Sequence, residues 1–278
     1  MLSVPHAELI VPRLSLASCV RAIIVRSTLG CELPAHLRLN RYPATAFPSL
    51  FLQLAGTSTM ADEGQPEWVC PTGAALLGGA QSRPFATANP GPAHFMTVLF
   101  FPDALHRLTG IDMASIVDGF QLLETQLDAD WQALVASMFG APDDAARVQL
   151  LEQFLEPRWR AVRGQDSTLG DWVHRLGAQA AAAGIGRSVR MAERRVREWA
   201  GQPLRRLRRI RRAEQGFLAA REQARQGKLV LSELALDAGY ADQAHLCRDA
   251  RAITGLSPAE LLRRGEEDET YWVYRIWA

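Results

Sequence analysis

The chain has 278 residues, 48% of them apolar and 22% charged. That balance excludes an intrinsically disordered chain, and the length leaves room for two domains. The net charge is only +1, but it is segregated: positions 187–212 hold 11 arginines against two acids, Glu193 and Glu198, so this stretch carries +9 and everything else sums to −8. A basic stripe inside a neutral protein points to a polyanionic partner, although a charge run can also be a solvated helix face.

Other classes lack their signatures. The four cysteines, Cys19, Cys31, Cys70 and Cys247, show no CxxC spacing and read as reduced, mostly buried thiols of a cytosolic protein. Cys247 beside Arg248 fits a structural thiol better than a redox-tuned one. His94 and His106 have no accompanying cysteine or carboxylate cluster, so no metal site is expected. The first residues lack a basic segment ahead of a long apolar run, so no signal peptide is expected. No uncharged apolar run reaches the roughly 18 residues of a membrane span. GxSxG, HExxH and a phosphate-cradling glycine loop are all missing, and no catalytic residue, cofactor or enzymatic activity is expected.

In chain order, the first hundred residues alternate turn formers with short apolar runs. "FPSLFLQLAG" (47–56), "AALLGGA" (74–80) and "AHFMTVLFF" (93–101) have strand length and are bounded by Pro and Gly. Trp68, Phe85, Phe95 and Phe101 suit core packing, with the lining of a ligand pocket as the alternative. After Pro102, "DALHRLTG" reads as a short helix ended by Gly110. "LLETQLDADWQALVASMFG" places Leu122, Leu123, Leu127, Trp131, Leu134, Val135 and Met138 on one helical stripe. "DDAARVQLLEQFLEPRW" is a further amphipathic helix with acids in its first turn. The polar "GQDSTLGDWV" (164–173) is the linker candidate, with a domain boundary near 163–168.

Beyond it a pattern occurs twice. "AAAGIGRSVRMAERRVREWAGQP" and "LSELALDAGYADQAHLCRDARAITGLSP" each give a short helix, a glycine turn (Gly186, Gly239) and a polar helix. Each polar helix ends near a second glycine (Gly201, Gly255), with a proline soon after (Pro203, Pro258). Two short helices around a glycine turn make a helix-turn-helix. Ser188 and Asp242 suit the N-caps of the two polar helices, and Ser232 suits the helix before Gly239. "LRRLRRIRRAEQGFLAAREQARQG" (204–227) is long enough to be one connecting helix. On the first polar helix Arg190, Glu193, Arg194 and Arg197 share a face, opposite Ala192, Val196 and Trp199. On the second, Gln243, Ala244, His245 and Arg248 point outward while Leu246 and Ala250 turn in. Arginine can grip guanine or phosphate with its fork, and glutamine can pair with adenine. Glu193 either repels phosphate or pairs with Arg190 or Arg197. His245 is either a surface or capping histidine or a DNA contact.

These residues, above all "GYADQAHLCRDARAITGLSPAELL", resemble the AraC/XylS family of bacterial transcription regulators over 171–264. The resemblance implies seven helices, two helix-turn-helix units bridged by a long helix, and base-reading positions at Arg190, Glu193 and Arg194, then Gln243, Ala244, His245 and Arg248. The chain departs from the family where it has Ala192 for a bulkier apolar residue, Val196 and Ala250 for phenylalanine, and Arg187 for an aliphatic residue. Smaller core residues imply looser packing, with Trp199 a compensating bulk in the first unit. "LRLNRYPATAFPSLFLQLAG", "ALLGGAQSRPF" and "FMTVLFFPDALHRLTGI" are similar to an uncharacterised domain found in front of some AraC-type regulators, which implies ligand sensing or dimerisation.

The expectation is an α+β chain: an N-terminal mixed β-sheet or barrel with helices (1–163), an all-α domain of two helix-turn-helix units joined by a long helix (168–265), and an acidic, aromatic tail (266–278). The tail is expected to dock back as a strand or extended arm, or to be exchanged in a dimer, and its acids could compete with DNA for the arginine stripe. The function expected is a sequence-specific regulator, such as an activator, binding double-stranded DNA in the cytoplasm. A small-molecule effector, RNA polymerase and a second copy of the chain are candidate partners, and no membrane is. The alternative is a small-molecule sensor or interaction protein whose DNA-binding module is weakened.

Overall fold

The computed structural model describes residues 4–62, 68–163, 172–182 and 189–277. Among them are ten strands: β1 (His6–Ile10), β2 (Val20–Ser27), β3 (Leu39–Tyr42), β4 (Ser49–Ala55), β5 (Thr57–Met60), β6 (Val69–Pro71), β7 (Ala75–Gly78), β8 (Phe85–Ala88), β9 (His94–Phe100) and β10 (Phe120–Leu122). They form a six-stranded sheet in the order β1-β2-β9-β4-β7-β10 and a four-stranded sheet in the order β3-β8-β5-β6. Every pairing is antiparallel. The chain passes from one sheet to the other at Gly56, whose φ is +73°. A Cβ there would lie 2.3 Å from the Pro92 carbonyl oxygen, so only glycine fits this crossing.

The central strands are apolar on both faces, because both faces are covered. Successive side chains alternate sides. Ile23, Val25, Leu50, Leu52, Met96 and Val98 point to one side, where α1 (Pro102–Thr109), α2 (Ala129–Phe139) and α3 (Asp144–Val162) supply Leu105, Trp131, Met138, Leu151 and Trp159. Ile24, Phe51, Phe95 and Leu99 point to the other side, against the end of the chain. The run predicted as one helix from Leu122 divides instead. Residues 120–122 pair with β7, Leu123–Thr125 is a 3-10 turn, and α2 starts at Ala129 because Asp128 Oδ1 accepts from the Asp130 and Trp131 amides. Leu122 is consequently exposed. His94 and His106 serve structure: His94 Nε2 lies 3.0 Å from Asp144, and His106 Nδ1 lies 2.8 Å from the Ile111 carbonyl.

Seven helices and a 3-10 turn complete the described chain: α4 (Trp172–Ala182), α5 (Val189–Ala200), α6 (Leu204–Arg225), α7 (Leu231–Asp237), α8 (Gln243–Thr254), α9 (Pro258–Glu267), a 3-10 turn at Glu269–Tyr271 and α10 (Trp272–Ile276). The rod predicted between the two copies is thus a single 22-residue helix. Its inner stripe includes Leu207, Ile210 and Ala220. Two of its arginines hold α8 in place: Arg209 Nε and Arg212 Nη2 lie 2.7 and 3.2 Å from the two oxygens of buried Asp249. The expected linker and the boundary near 163–168 fall largely on 164–171, outside the described residues; α3 ends at Val162 with Arg163 as its C-cap.

The tail docks back, as expected, but as helix rather than strand. Asp268 Oδ1 accepts from the Thr270 amide and hydroxyl, which starts a helical turn. Trp272 is then almost fully buried against Phe95 and Tyr42 of the N-terminal sheets. Its indole Nε1 donates to Asn40 Oδ1 at 2.8 Å, and Arg26 lies over its ring at 4.9 Å. Asn40 continues a buried chain through Asn89 and Ser58 to Gln53, spanning both sheets. From the opposite side, Arg221 of α6 donates to the Tyr274, Arg275 and Trp277 carbonyls. The tail is therefore clamped between the N-terminal sheet and the rod.

Two stability changes follow from these contacts. Trp272→Ala should cost about 3–5 kcal/mol in urea unfolding, and Trp272→Phe about 1–3 kcal/mol, since Phe keeps most of the bulk but leaves Asn40 Oδ1 without its donor. Asp249→Asn should cost about 2–3 kcal/mol, less than for a fully buried pair because both guanidiniums remain about a third exposed.

Candidate nucleic-acid interface

The first unit is α4 and α5. Its turn, with Gly186, Arg187 and the expected N-cap Ser188, lies outside the described residues. On α5, Arg190, Glu193, Arg194 and Arg197 are all exposed and share one face. The opposite face is packed: Val196 and Ala200 are buried with Leu176, Leu207 and Ile210, and Ala192 and Trp199 close the edge of that cluster. Trp199 also faces His106 at 6.4 Å, so it supplies bulk beside the small Ala192. No ion pair joins Glu193 to Arg190 or Arg197 among the described residues, contrary to the pairing anticipated from spacing.

The second unit is α7 and α8 around Gly239, with φ +74°. Asp242 caps α8, its Oδ1 accepting from the His245 amide at 2.6 Å. Ser232 does not cap α7. Val230 occupies that position without a side-chain bond, and Ser232 sits in the first turn. Gln243, Ala244 and Arg248 are exposed, and His245 is half-buried with its ring perpendicular to Tyr240 at 5.2 Å. Tyr240 is buried beneath Arg212, whose guanidinium lies 4.3 Å from the ring. Burial, then the nearby Asp249 charge, push its phenol above the ordinary range. Gly255 ends α8 at φ +81°, and Ser257 and Pro258 open α9.

The arginine stripe therefore splits by role. Arg190, Arg194, Arg197, Arg205 and Arg208 face solvent, whereas Arg209 and Arg212 are committed to Asp249 and Tyr240. Asp249 was not among the residues singled out from sequence. Its signal is a lone acid within the buried stripe Leu246, Ala250 and Ile253. Three of the four tail acids are engaged away from α5: Glu267 pairs with Arg263, Asp268 caps the turn, and Glu269 pairs with Arg26 and Arg275. Competition between these three and DNA for the α5 arginines is thus not what this geometry shows.

Both units rest on the N-terminal part. Gly201, at φ +71°, is pressed so closely on it that a Cβ would lie 2.8 Å from the Met113 carbonyl oxygen. Arg107 donates to Gln179 of α4, and the Ala44 amide donates to the Ile253 carbonyl of α8 at 2.7 Å. Between the six-stranded sheet, the four-stranded sheet, α6, α8 and α10 lies an apolar cavity of about 200 Å³, lined by Trp68, Phe85 and Ala250 among others. Phe95 is buried against the tail and Phe101 packs on Phe47 and Trp172, so only the first two of the four aromatics weighed for a pocket line it.

Among the described residues, no cluster of His, Cys, Asp or Glu could hold a metal, and no helix is long and apolar enough to cross a membrane. Cys19, Cys31 and Cys70 are buried free thiols; burial pushes the Cys70 thiol up to about 12. Cys247 is half-buried.

A family model described as a helix-turn-helix domain matches residues 181–264. No curated protein matches the chain. Among solved structures, one of ToxT from Vibrio cholerae is 9% identical, covering 81% of this chain and 94% of its own, with a TM-score of 0.43. An apo variant of ToxT from the same organism is 12% identical over 87% and 96%, with a TM-score of 0.45. The unsaturated fatty acid-bound wild-type form is 14% identical over 81% and 94%, with a TM-score of 0.39. The matched span holds α5 to α8 and most of α9: residues 181–264 are a helix-turn-helix domain.

Proposed function

We propose that the whole chain is a sequence-specific transcription regulator in which α5 and α8 read duplex DNA and the N-terminal part sets their placement in response to a small molecule. The observation that carries this is the two-sidedness of both helices. Each buries its apolar face and leaves a polar, cationic face in solvent. Arg190, Glu193, Arg194 and Arg197 of α5, and Gln243, Ala244, His245 and Arg248 of α8, are the reading set, with Ser188 and Asp242 at the helix starts. Exposed Arg205 and Arg208 on the rod add phosphate neutralisation, which makes affinity fall with salt. Asp242 contributes through its cap, because the first turn of α8 is where base contacts are made.

The chain divides for this purpose into an N-terminal effector part (1–163), the DNA-binding part (168–265) and the tail (266–278) that joins them. The cavity between these parts supports effector control, since an occupant would touch the sheet and the inner side of α8 together. No catalytic step belongs to this reading. A regulator of this kind works in the bacterial cytoplasm on RNA polymerase, and a homodimer would double its readers.

Mobility shifts on a site found by genome-wide footprinting test the assignment. Arg194→Ala and Arg248→Ala should each cost about 1–3 kcal/mol and relax preference at one position. Arg205→Ala should weaken all sequences alike and lower the salt slope by about one. Unchanged affinity for both Arg194→Ala and Arg248→Ala would reject these helices as readers.

A further inference from the structure

The cavity's lining restricts what it can hold. Its walls come from both sheets (Phe51, Phe85), from α6 and α8 (Phe217, Ala250) and from α10 (Trp272). Among the described residues that line it there is no Lys, Arg or His, and the sole charged one is Glu214. The Glu214 carboxylate is already taken, by Arg21 at 2.8 Å and by Trp277 Nε1 at 3.1 Å. A carboxylate or phosphate brought here would lose its water and gain no counter-charge, a cost of several kcal/mol. An ammonium would find only an acid that is already paired.

Trp68 Nε1 is buried without a hydrogen-bond partner, but it exposes no surface to the cavity and so offers an occupant no donor. Size narrows the class further. A dry cavity of about 150 Å³ holds benzene, so about 200 Å³ suits roughly ten non-hydrogen atoms and not a long chain or a drug-sized molecule. Ala250 provides part of this room, at a position where the family resemblance anticipates phenylalanine.

We propose that the cavity binds an uncharged, largely apolar small molecule of about ten non-hydrogen atoms, such as a small aromatic or branched hydrocarbon, ketone or ester. The inference rests on the effector reading above and names the ligand class for that site.

Three probes of matched size test it on the full chain by thermal shift and titration calorimetry: 4-phenylbutan-2-one, butylbenzene and 3-phenylpropanoate. The ketone and the hydrocarbon should both bind, and the carboxylate at least about tenfold more weakly than the ketone. Ala250→Phe should abolish binding of the ketone and the hydrocarbon while far-UV circular dichroism stays that of the parent. The proposal is overturned if the carboxylate binds as tightly as the ketone, if Ala250→Phe leaves the ketone unaffected, or if none of the three binds at millimolar concentration. Duplex-DNA affinity of the same preparation separates the two readings. Lost DNA binding with intact ketone binding sinks the regulator and keeps the ligand class, whereas the converse sinks the ligand class alone.

Discussion

The architecture depends on one constraint: the six-stranded sheet is apolar on both faces, and each must be removed from water. Helices α1–α3 follow the strands closely in sequence and cover the first face. The second face is covered from several directions: Tyr42 of the four-stranded sheet, Phe217 of the rod, and the tail residues Tyr271 to Tyr274, which pack with Ile24 and Phe95. Burying four such side chains is worth several kcal/mol in apolar area alone, so the contact is a main stabilising element of the fold. Because the tail emerges from the DNA-binding domain, covering the sheet also fastens that domain to it.

Charge is used in two ways along a single run of arginines. On α5 and the outer side of α6 it faces solvent, where it can neutralise phosphate. One turn further along the rod the same residue type turns inward, and Asp249 pins α8 through two guanidiniums. Net charge cannot distinguish these uses. The second matters for the first, since a reading helix must be held rigidly for its side chains to meet base edges. Tyr240, beneath Arg212, adds an aromatic floor to that support.

The C-terminal half was legible because its signals are local. A glycine with positive φ, an Asp242 cap and a 3.6-residue stripe each act within a few residues. Asp249 was not legible, because a buried acid makes sense only with Arg209 and Arg212 some 40 positions away. In the N-terminal half the runs at β4, β7 and β9 were visible as strands. β2 was not: "RAIIVR" has no alternation to read, since both of its faces are buried. The aromatic tail was legible as something that must dock, but its helical form hangs on Asp268 and on the Asn40 acceptor, more than 200 residues back in the chain. The small residue at Ala250 was legible as missing bulk, but only the fold shows that the missing bulk opens onto the sheet.

That opening has an energetic consequence. Filled by nothing, a cavity of about 200 Å³ forfeits about 5 kcal/mol of packing relative to a solid interface. The energy that moves a two-state equilibrium from one side almost wholly to the other is of the same size. The contacts that hold the parts together are both apolar and polar: Phe47 and Phe101 pack on Trp172, the tail packs on Ile24 and Phe95, and Arg21 meets Glu214, the Ala44 amide Ile253, and Arg107 Gln179. An occupant that restored the packing would add to this docking. The apolar contact between α8 and the N-terminal sheet is thus incomplete at the cavity, which is where an occupant of the proposed kind would act on the placement of α8.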